Sequence, residues 1–145
     1  MASQGWSKWQ DMNSELWRDR YFSQVQLIGN KTAELPQRLQ TIQDLGVSWS
    51  NSIKFILQKI IKDANEPTPL KEAALKRLKQ RPSLDNFKAM IIALRKTDNS
   101  DFLTQLTQTL RIRNPKGPVF NEDLSLDQKE KMIKEWEKWW KSVEE

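Results

Sequence analysis

The chain has 145 residues, of which 24 are Lys or Arg and 19 are Asp or Glu, so its formal net charge is +5. It contains neither cysteine nor histidine, which excludes disulfides, thiolate nucleophiles, serine–histidine catalysis and metal sites built on imidazole or thiolate ligands. Thirty percent of the residues are charged and only four are glycine. This composition favours helices over strands and predicts an all-α fold.

Apolar residues recur at intervals of three and four through most of the chain, which predicts amphipathic helices joined by short polar turns. Glycine or proline marks the breaks at Gly29, Gly46 and Pro82. Thr68 is predicted to cap the fourth helix, with Pro69 at its first helical position. In chain order, the predicted helices cover residues 7–28, 35–45, 52–64, the segment between Thr68 and Pro82, 84–96, 101–112 and 125–143.

One apolar stripe occurs twice in this series of helices. A shift of 32 residues places the stripe of the fourth helix, at positions 70, 74 and 78, over that of the sixth helix, at positions 102, 106 and 110. Each unit therefore consists of an apolar helix, a polar turn and a second helix. The residues predicted to face inward in these helices and the one between them are Leu70, Ala73, Ala74, Leu75, Leu78, Leu84, Phe87, Ile91, Leu94, Phe102, Leu103, Leu106 and Leu110.

The stretch IKDANEPTPLKEAALKRL resembles a HEAT repeat, whose second helix follows an aspartate-bearing turn and opens with an apolar residue and then a basic one. Leu70 and Lys71 stand in those two places, and Ala73, Ala74 and Leu78 match the small and closing apolar positions.

The following unit keeps Phe102 and Leu110 in register, but it has Leu103 and Leu106 where a basic and a small residue are expected. The resemblance implies a short right-handed solenoid of stacked α-hairpins. An irregular helical bundle of six to seven helices is the alternative.

The chain is predicted to form a single helical domain over residues 1–145. Its predicted parts are N-terminal helices at 1–50, two HEAT-like hairpins at 52–112, a loop at 113–124 and an amphipathic, tryptophan-rich capping helix at 125–143.

The last helix begins with a capping box, Ser125-x-x-Gln128, and carries Trp136, Trp139 and Trp140 on its apolar side. This tail resembles the C-terminal helix that closes many bacterial HEAT-repeat proteins. The tryptophans are therefore predicted to cover the open apolar end of the stack. The alternative is that Trp139 or Trp140 is exposed as an anchor for a partner, because adjacent helical residues diverge by about 100 degrees.

Basic residues concentrate in the middle of the chain. Residues 71–116 hold eleven Lys and Arg against four Asp and Glu, a net charge of +7, whereas residues 1–70 carry +1 and residues 117–145 carry −3. Such a region either contacts phosphates or is the solvated face of ordinary helices. The residues selected as candidates for partner binding are Lys71, Lys76, Arg77, Lys79, Arg111, Arg113 and Trp139.

No carboxylates are paired as acid–base catalysis requires, and the glycine-containing stretches lack the spacing of phosphate-binding loops. No catalytic residue, cofactor or metal ligand is therefore predicted. No apolar run approaches the roughly eighteen residues of a membrane span. We expect a cytoplasmic protein that does not use a membrane.

These features together predict a non-catalytic, helical-repeat binding or scaffolding module for a protein partner. One alternative is a basic subunit that binds nucleic acid through residues 71–116. Another is a self-assembling component whose tryptophan-bearing ends, with Trp6, Trp9 and Trp17 at the N-terminal one, make contacts between copies. The sequence leaves the oligomeric state open.

Overall fold

The computed structural model describes residues 21–144, and these form helices joined by turns and loops without a β-strand. The predicted all-α fold is thereby confirmed. The predicted start of the first helix at Ser7 and the N-terminal tryptophans lie outside the described residues. The helices are α1 at residues 21–29, α2 Leu35–Asp44, α3 Asn51–Ile61, α4 Thr68–Lys79, α5 Leu84–Ala93, α6 Ser100–Leu110 and α7 Leu126–Glu144.

The chain divides into two compact units, Met1–Ile56 and Leu57–Glu145, and the division falls within α3. A single domain over the whole chain stays a prediction. In the first unit, the guanidinium Nε of Arg38 donates a hydrogen bond of 2.8 Å to the backbone oxygen of Ile28. That bond ties α2 to the end of α1. Gly46, at φ 56°, follows α2 in the left-handed conformation that favours glycine, as its predicted role as a stop requires.

In the second unit, α4 packs on α6, α6 on α5, and α5 on α7. The two apolar stripes are confirmed as inward-facing, because all six of their residues are fully buried. Each short helix buries its apolar face against a neighbour, since an isolated helix of this length is marginal in water. The six residues are Leu70, Ala74, Leu78, Phe102, Leu106 and Leu110.

One predicted helix cap and one predicted inward-facing residue are wrong. Thr68 does not cap α4, because Pro67, held at φ −63° and ψ 142°, is the N-cap and its carbonyl accepts from the amides of Leu70 and Lys71. Leu84 is not part of the inner face, since its side chain is 49% exposed. It is the first helical residue of α5, and the buried stripe begins one turn later at Phe87.

A buried polar contact joins three segments of the second unit. Asn86 is fully buried in α5. Its Oδ1 accepts a hydrogen bond of 2.8 Å from Gln58 Nε2, and its Nδ2 donates to the carbonyls of Leu78 and Arg81 at 3.2 and 2.7 Å. Because these bonds use both ends of the amide, burial of Asn86 leaves no polar atom of its side chain without a partner.

The last helix begins as predicted. The amide of Gln128 donates to Ser125 Oγ at 3.1 Å, and the amide of Ser125 donates to Gln128 Oε1 at 2.9 Å, which completes the capping box. Trp136 and Trp140 are buried, whereas Trp139 is only half-buried. The helix therefore packs on α5 and buries two of its three tryptophans.

Trp136 also holds the loop that precedes α7. Its indole Nε1 donates a hydrogen bond of 2.8 Å to the carbonyl of Pro118, and its ring lies against the backbone of Gly117. Farther along the loop, Thr107 Oγ1 accepts a bond of 3.0 Å from the amide of Phe120. The 113–124 segment is thus held through its middle residues although it has no regular secondary structure.

Replacement of Gly117 by alanine is expected to destabilise the fold, because a Cβ atom there would overlap the Trp136 ring. We expect a loss of about 1–3 kcal/mol in the free energy of unfolding, measured by urea denaturation. In a double-mutant cycle, Trp136→Leu should remove the overlap, so that the combined loss is smaller than the sum of the single losses by at least about 0.5 kcal/mol. Strict additivity would contradict this account.

Candidate functional site

Helices α4 and α6 run side by side in the same direction. In their N-terminal and middle turns, Gln105 Nε2 donates a hydrogen bond of 2.6 Å to Glu72 Oε2, and Lys71 Nζ lies 6.0 Å from the centre of the Phe102 ring. At their C-terminal ends, the last turn of α4 and the residues after α6 line one groove. The pair of helices therefore has two distinct ends.

The groove between these helices is open and has a volume of about 660 Å³. Its lining combines aliphatic carbon with amide and charged groups, because the stems of lysine and glutamine side chains cover apolar surface while their ends reach water. The lining residues are Glu72, Ala73, Leu75, Lys76, Lys79, Gln80, Gln105, Gln108, Thr109 and Ile112.

Basic residues gather where α4 and α6 end. Residues 76–81 contain four Lys or Arg and residues 111–116 contain three, and neither stretch contains an acidic residue. We call this set the basic end. It includes five of the six basic residues selected from the sequence. Its members are Lys76, Arg77, Lys79, Arg81, Arg111, Arg113 and Lys116.

Residues of the basic end also interact with the ends of the helices themselves. Cations near helix C-termini offset the partial negative charge of the last carbonyls, typically by about 0.3–1 kcal/mol each. Arg111 donates from Nε and Nη2 to the carbonyl of Pro115 at 2.9 and 2.6 Å. Arg77 is half-buried, and its Nη1 lies 3.4 Å from Gln80 Oε1. Lys76, Lys79 and Arg113 are exposed.

Lys71 lies apart from the other candidates because it is buried, with 2% of its surface exposed. Its ammonium donates a hydrogen bond of 2.9 Å to the backbone oxygen of Lys96. Burial lowers the pKa of Lys71, while the carboxylates of Asp63, Glu66 and Asp98 act in the opposite direction. The structure thus places this lysine inside the fold, where it joins α4 to the turn after α5.

Trp139 lies on α7, which does not line the groove. Its ring is 5.5 Å from that of Trp136 and 6.0 Å from that of Trp140, both in edge-to-face geometry. The indole of Trp140 donates to Glu144 Oε1 at 2.6 Å, and Glu144 pairs with Lys88 of α5 at 3.4 Å. Trp139 as a partner anchor stays a prediction, and it is separate from the α4–α6 groove.

Arg95 is a basic residue whose role the sequence did not reveal. Its guanidinium donates two hydrogen bonds to Glu130, at 3.0 and 2.9 Å, and two to Glu137, at 2.8 and 2.7 Å. These bonds raise the pKa of Arg95 and lower the pKa values of Glu130 and Glu137. The two glutamates are seven residues apart on α7, a spacing that puts them on one face. That spacing was the available signal, but it did not identify the arginine.

The contacts of Arg95 with Glu130 and Glu137, which we call the Arg95 clasp, predict a specific dependence of stability on pH. Because the pKa values of both glutamates are lower in the folded state, the stabilisation is complete above their unfolded pKa of about 4.3 and is lost as the pH falls through the folded values. Arg95→Gln should therefore flatten the fall of the urea midpoint between about pH 5 and pH 3. The exposed, charge-matched change Arg113→Gln should keep the wild-type acid slope. Equal slopes in all three proteins would contradict the prediction.

Within residues 21–144, no three acidic side chains come together in a group that could hold a metal ion. Over the same residues, no helix is both long enough and apolar enough to cross a membrane.

Comparison of the chain with protein-family models, with curated proteins and with solved structures gives no match. The resemblance to HEAT repeats therefore rests on the residues quoted from the sequence.

Proposed function

We propose that this chain is a non-catalytic, HEAT-like binding module that takes a helical segment of a partner protein in the groove between α4 and α6. The observation that carries the proposal is the groove itself. Two parallel helices leave an open channel that is lined by aliphatic carbon and by side-chain amides. Grooves between helices are a recurrent way of binding an amphipathic helix.

The repeat character of the module has its own support. The 32-residue shift that aligns the sequence also aligns fully buried residues in α4 and α6. The hydrogen bond between Glu72 and Gln105 joins positions 33 residues apart. Equivalent helices of successive hairpins lie side by side in the same direction in an α-solenoid, and their shared face is the usual binding surface.

The lining chemistry favours a protein ligand. The amides of Gln80, Gln105 and Gln108 can donate to and accept from polar side chains of a partner. Ile112 at one end of the groove is 62% exposed and would be covered by an apolar residue of that partner. Glu72, the acidic residue among those that line the groove, already accepts a hydrogen bond from Gln105.

A second candidate is a nucleic-acid-binding subunit. The observation in its favour is the basic end, whose two stretches carry seven Lys and Arg and no acidic residue. Such a surface can neutralise phosphates without reading bases, so binding should weaken steeply with salt. None of the described residues that line the groove has an aromatic ring on which a base could stack.

Filling the groove provides the test. Ala73 lines it and is only half-buried, so Ala73→Trp should occupy the channel without emptying the core. Helical peptides selected from a displayed random library against the wild-type chain should lose at least about tenfold in affinity for this variant, a change of about 1.4 kcal/mol. Ala64→Trp is the matched control, because Ala64 is exposed in the turn before α4 and does not line the groove.

Circular dichroism and thermal unfolding must show that both tryptophan variants fold. Selected peptides that bind Ala73→Trp as tightly as Ala64→Trp would refute the groove as the binding site. If the library yields no binder while duplex RNA or DNA binds with a steep salt dependence, the second candidate replaces the first.

A further inference from the structure

The two ends of the α4–α6 groove differ in charge. At the N-terminal end, Glu72 and Gln105 form a hydrogen bond across the two helices. At the other end, Lys76 and Lys79 of the basic end line the groove together with Ile112. Seven residues of helix separate Glu72 from Lys79, or about 10 Å at 1.5 Å per residue. A bound segment of a few turns therefore meets a carboxylate at one end and cations at the other.

The direction of the helices decides how an anion can be held at the cationic end. Because α4 and α6 are parallel, both end there with their last backbone carbonyls, which offer no N–H donors to an anion. The carbonyl ends repel any anion that approaches the backbone closely. An anion is thus held by lysine and arginine side chains that extend beyond the helix ends, a geometry open to carboxylates on a flexible or helical partner.

An apolar residue lies within the basic end. Ile112 is 62% exposed and is flanked in the chain by Arg111 and Arg113. Ala73 and Leu75 continue the apolar lining along the groove. A sugar–phosphate backbone would gain nothing from covering these side chains. An amphipathic segment that carries both apolar and acidic residues would bury Ile112 and pair with the surrounding cations.

We infer that the occupant is an acidic, amphipathic helix of a partner protein, bound with its acid-rich end against Lys76, Lys79 and Ile112 and its uncharged end beside Glu72. This inference rests on the proposed function and specifies both the charge of the ligand and its orientation in the groove. Electrostatic complementarity then selects the partner and sets its direction, while burial of the apolar stripe supplies affinity.

The first experiment reverses charge at the cationic end. The probe is a synthetic peptide of about 14 residues, long enough to follow both helices, with leucine at helical spacing, glutamate in one half and glutamine in the other. Lys76→Glu combined with Lys79→Glu should weaken its binding at least tenfold, or about 1.4 kcal/mol. The matched control is Lys131→Glu combined with Lys134→Glu, which reverses two exposed lysines at the same spacing on α7 and should leave the affinity unchanged.

The second experiment reads orientation. A nitroxide label on the glutamate end of the peptide should broaden the NMR signal of the Ile112 methyl groups more than that of the Ala73 methyl. A label on the glutamine end should reverse that order. Equal broadening by both labels, or the opposite order, overturns the assigned direction.

The outcomes separate this inference from the function on which it rests. If Ala73→Trp blocks the peptide but charge reversal at Lys76 and Lys79 does not, the groove binds a helix and its charge preference is wrong. If an all-glutamine peptide binds as tightly as the acidic one, the inference also fails. If neither peptide binds at concentrations up to about 1 mM, a threshold of about −4 kcal/mol, both proposals fail. Displacement of the acidic peptide by duplex RNA, added at the same total negative charge as the peptide, overturns the choice of a protein ligand.

Discussion

The inner faces of α4 and α6 bury each other's apolar side chains, and the groove depends on this contact. Side-chain packing holds such helices roughly 8–10 Å apart. At that distance the residues beside the buried stripe, including Glu72, Lys76 and Lys79, are left along the open edge. Core residues thereby determine where the polar and basic surface residues stand.

Directional polar contacts join the remainder of the second unit to α4 and α6. Asn86 is fully buried and bonds to two carbonyls and one side-chain amide, so each of its bonds is expensive to lose. Lys71 joins α4 to the carbonyl of Lys96 with its buried ammonium. Trp136 holds the long loop through Pro118. Hydrophobic burial supplies the stability, while these directional bonds select one arrangement of the helices.

Local signals in the sequence were sufficient for the helices of the described residues, most of their inward-facing residues and the Ser125–Gln128 capping box, because each of these depends on residues within a few positions of one another. The contacts of the candidate site residues were harder to predict from the sequence. Burial of Lys71 depends on the carbonyl of Lys96, 25 residues away. The residues next to Lys71 in the sequence do not indicate that contact. The Arg95 clasp likewise joins residues that are 35 and 42 positions apart. Long, flexible charged side chains find such partners only after packing has brought the helices together.

The three indoles of α7 have an optical consequence. Trp139 stands edge-to-face with both Trp136 and Trp140, at centre-to-centre distances of 5.5 and 6.0 Å. Transition dipoles this close couple, and their fixed mutual angles produce a rotational strength that freely rotating side chains average away. The near-ultraviolet dichroism of the protein should therefore contain an exciton component from this trio. Packing of α7 on α5 can then be followed spectroscopically, independently of the total helical content.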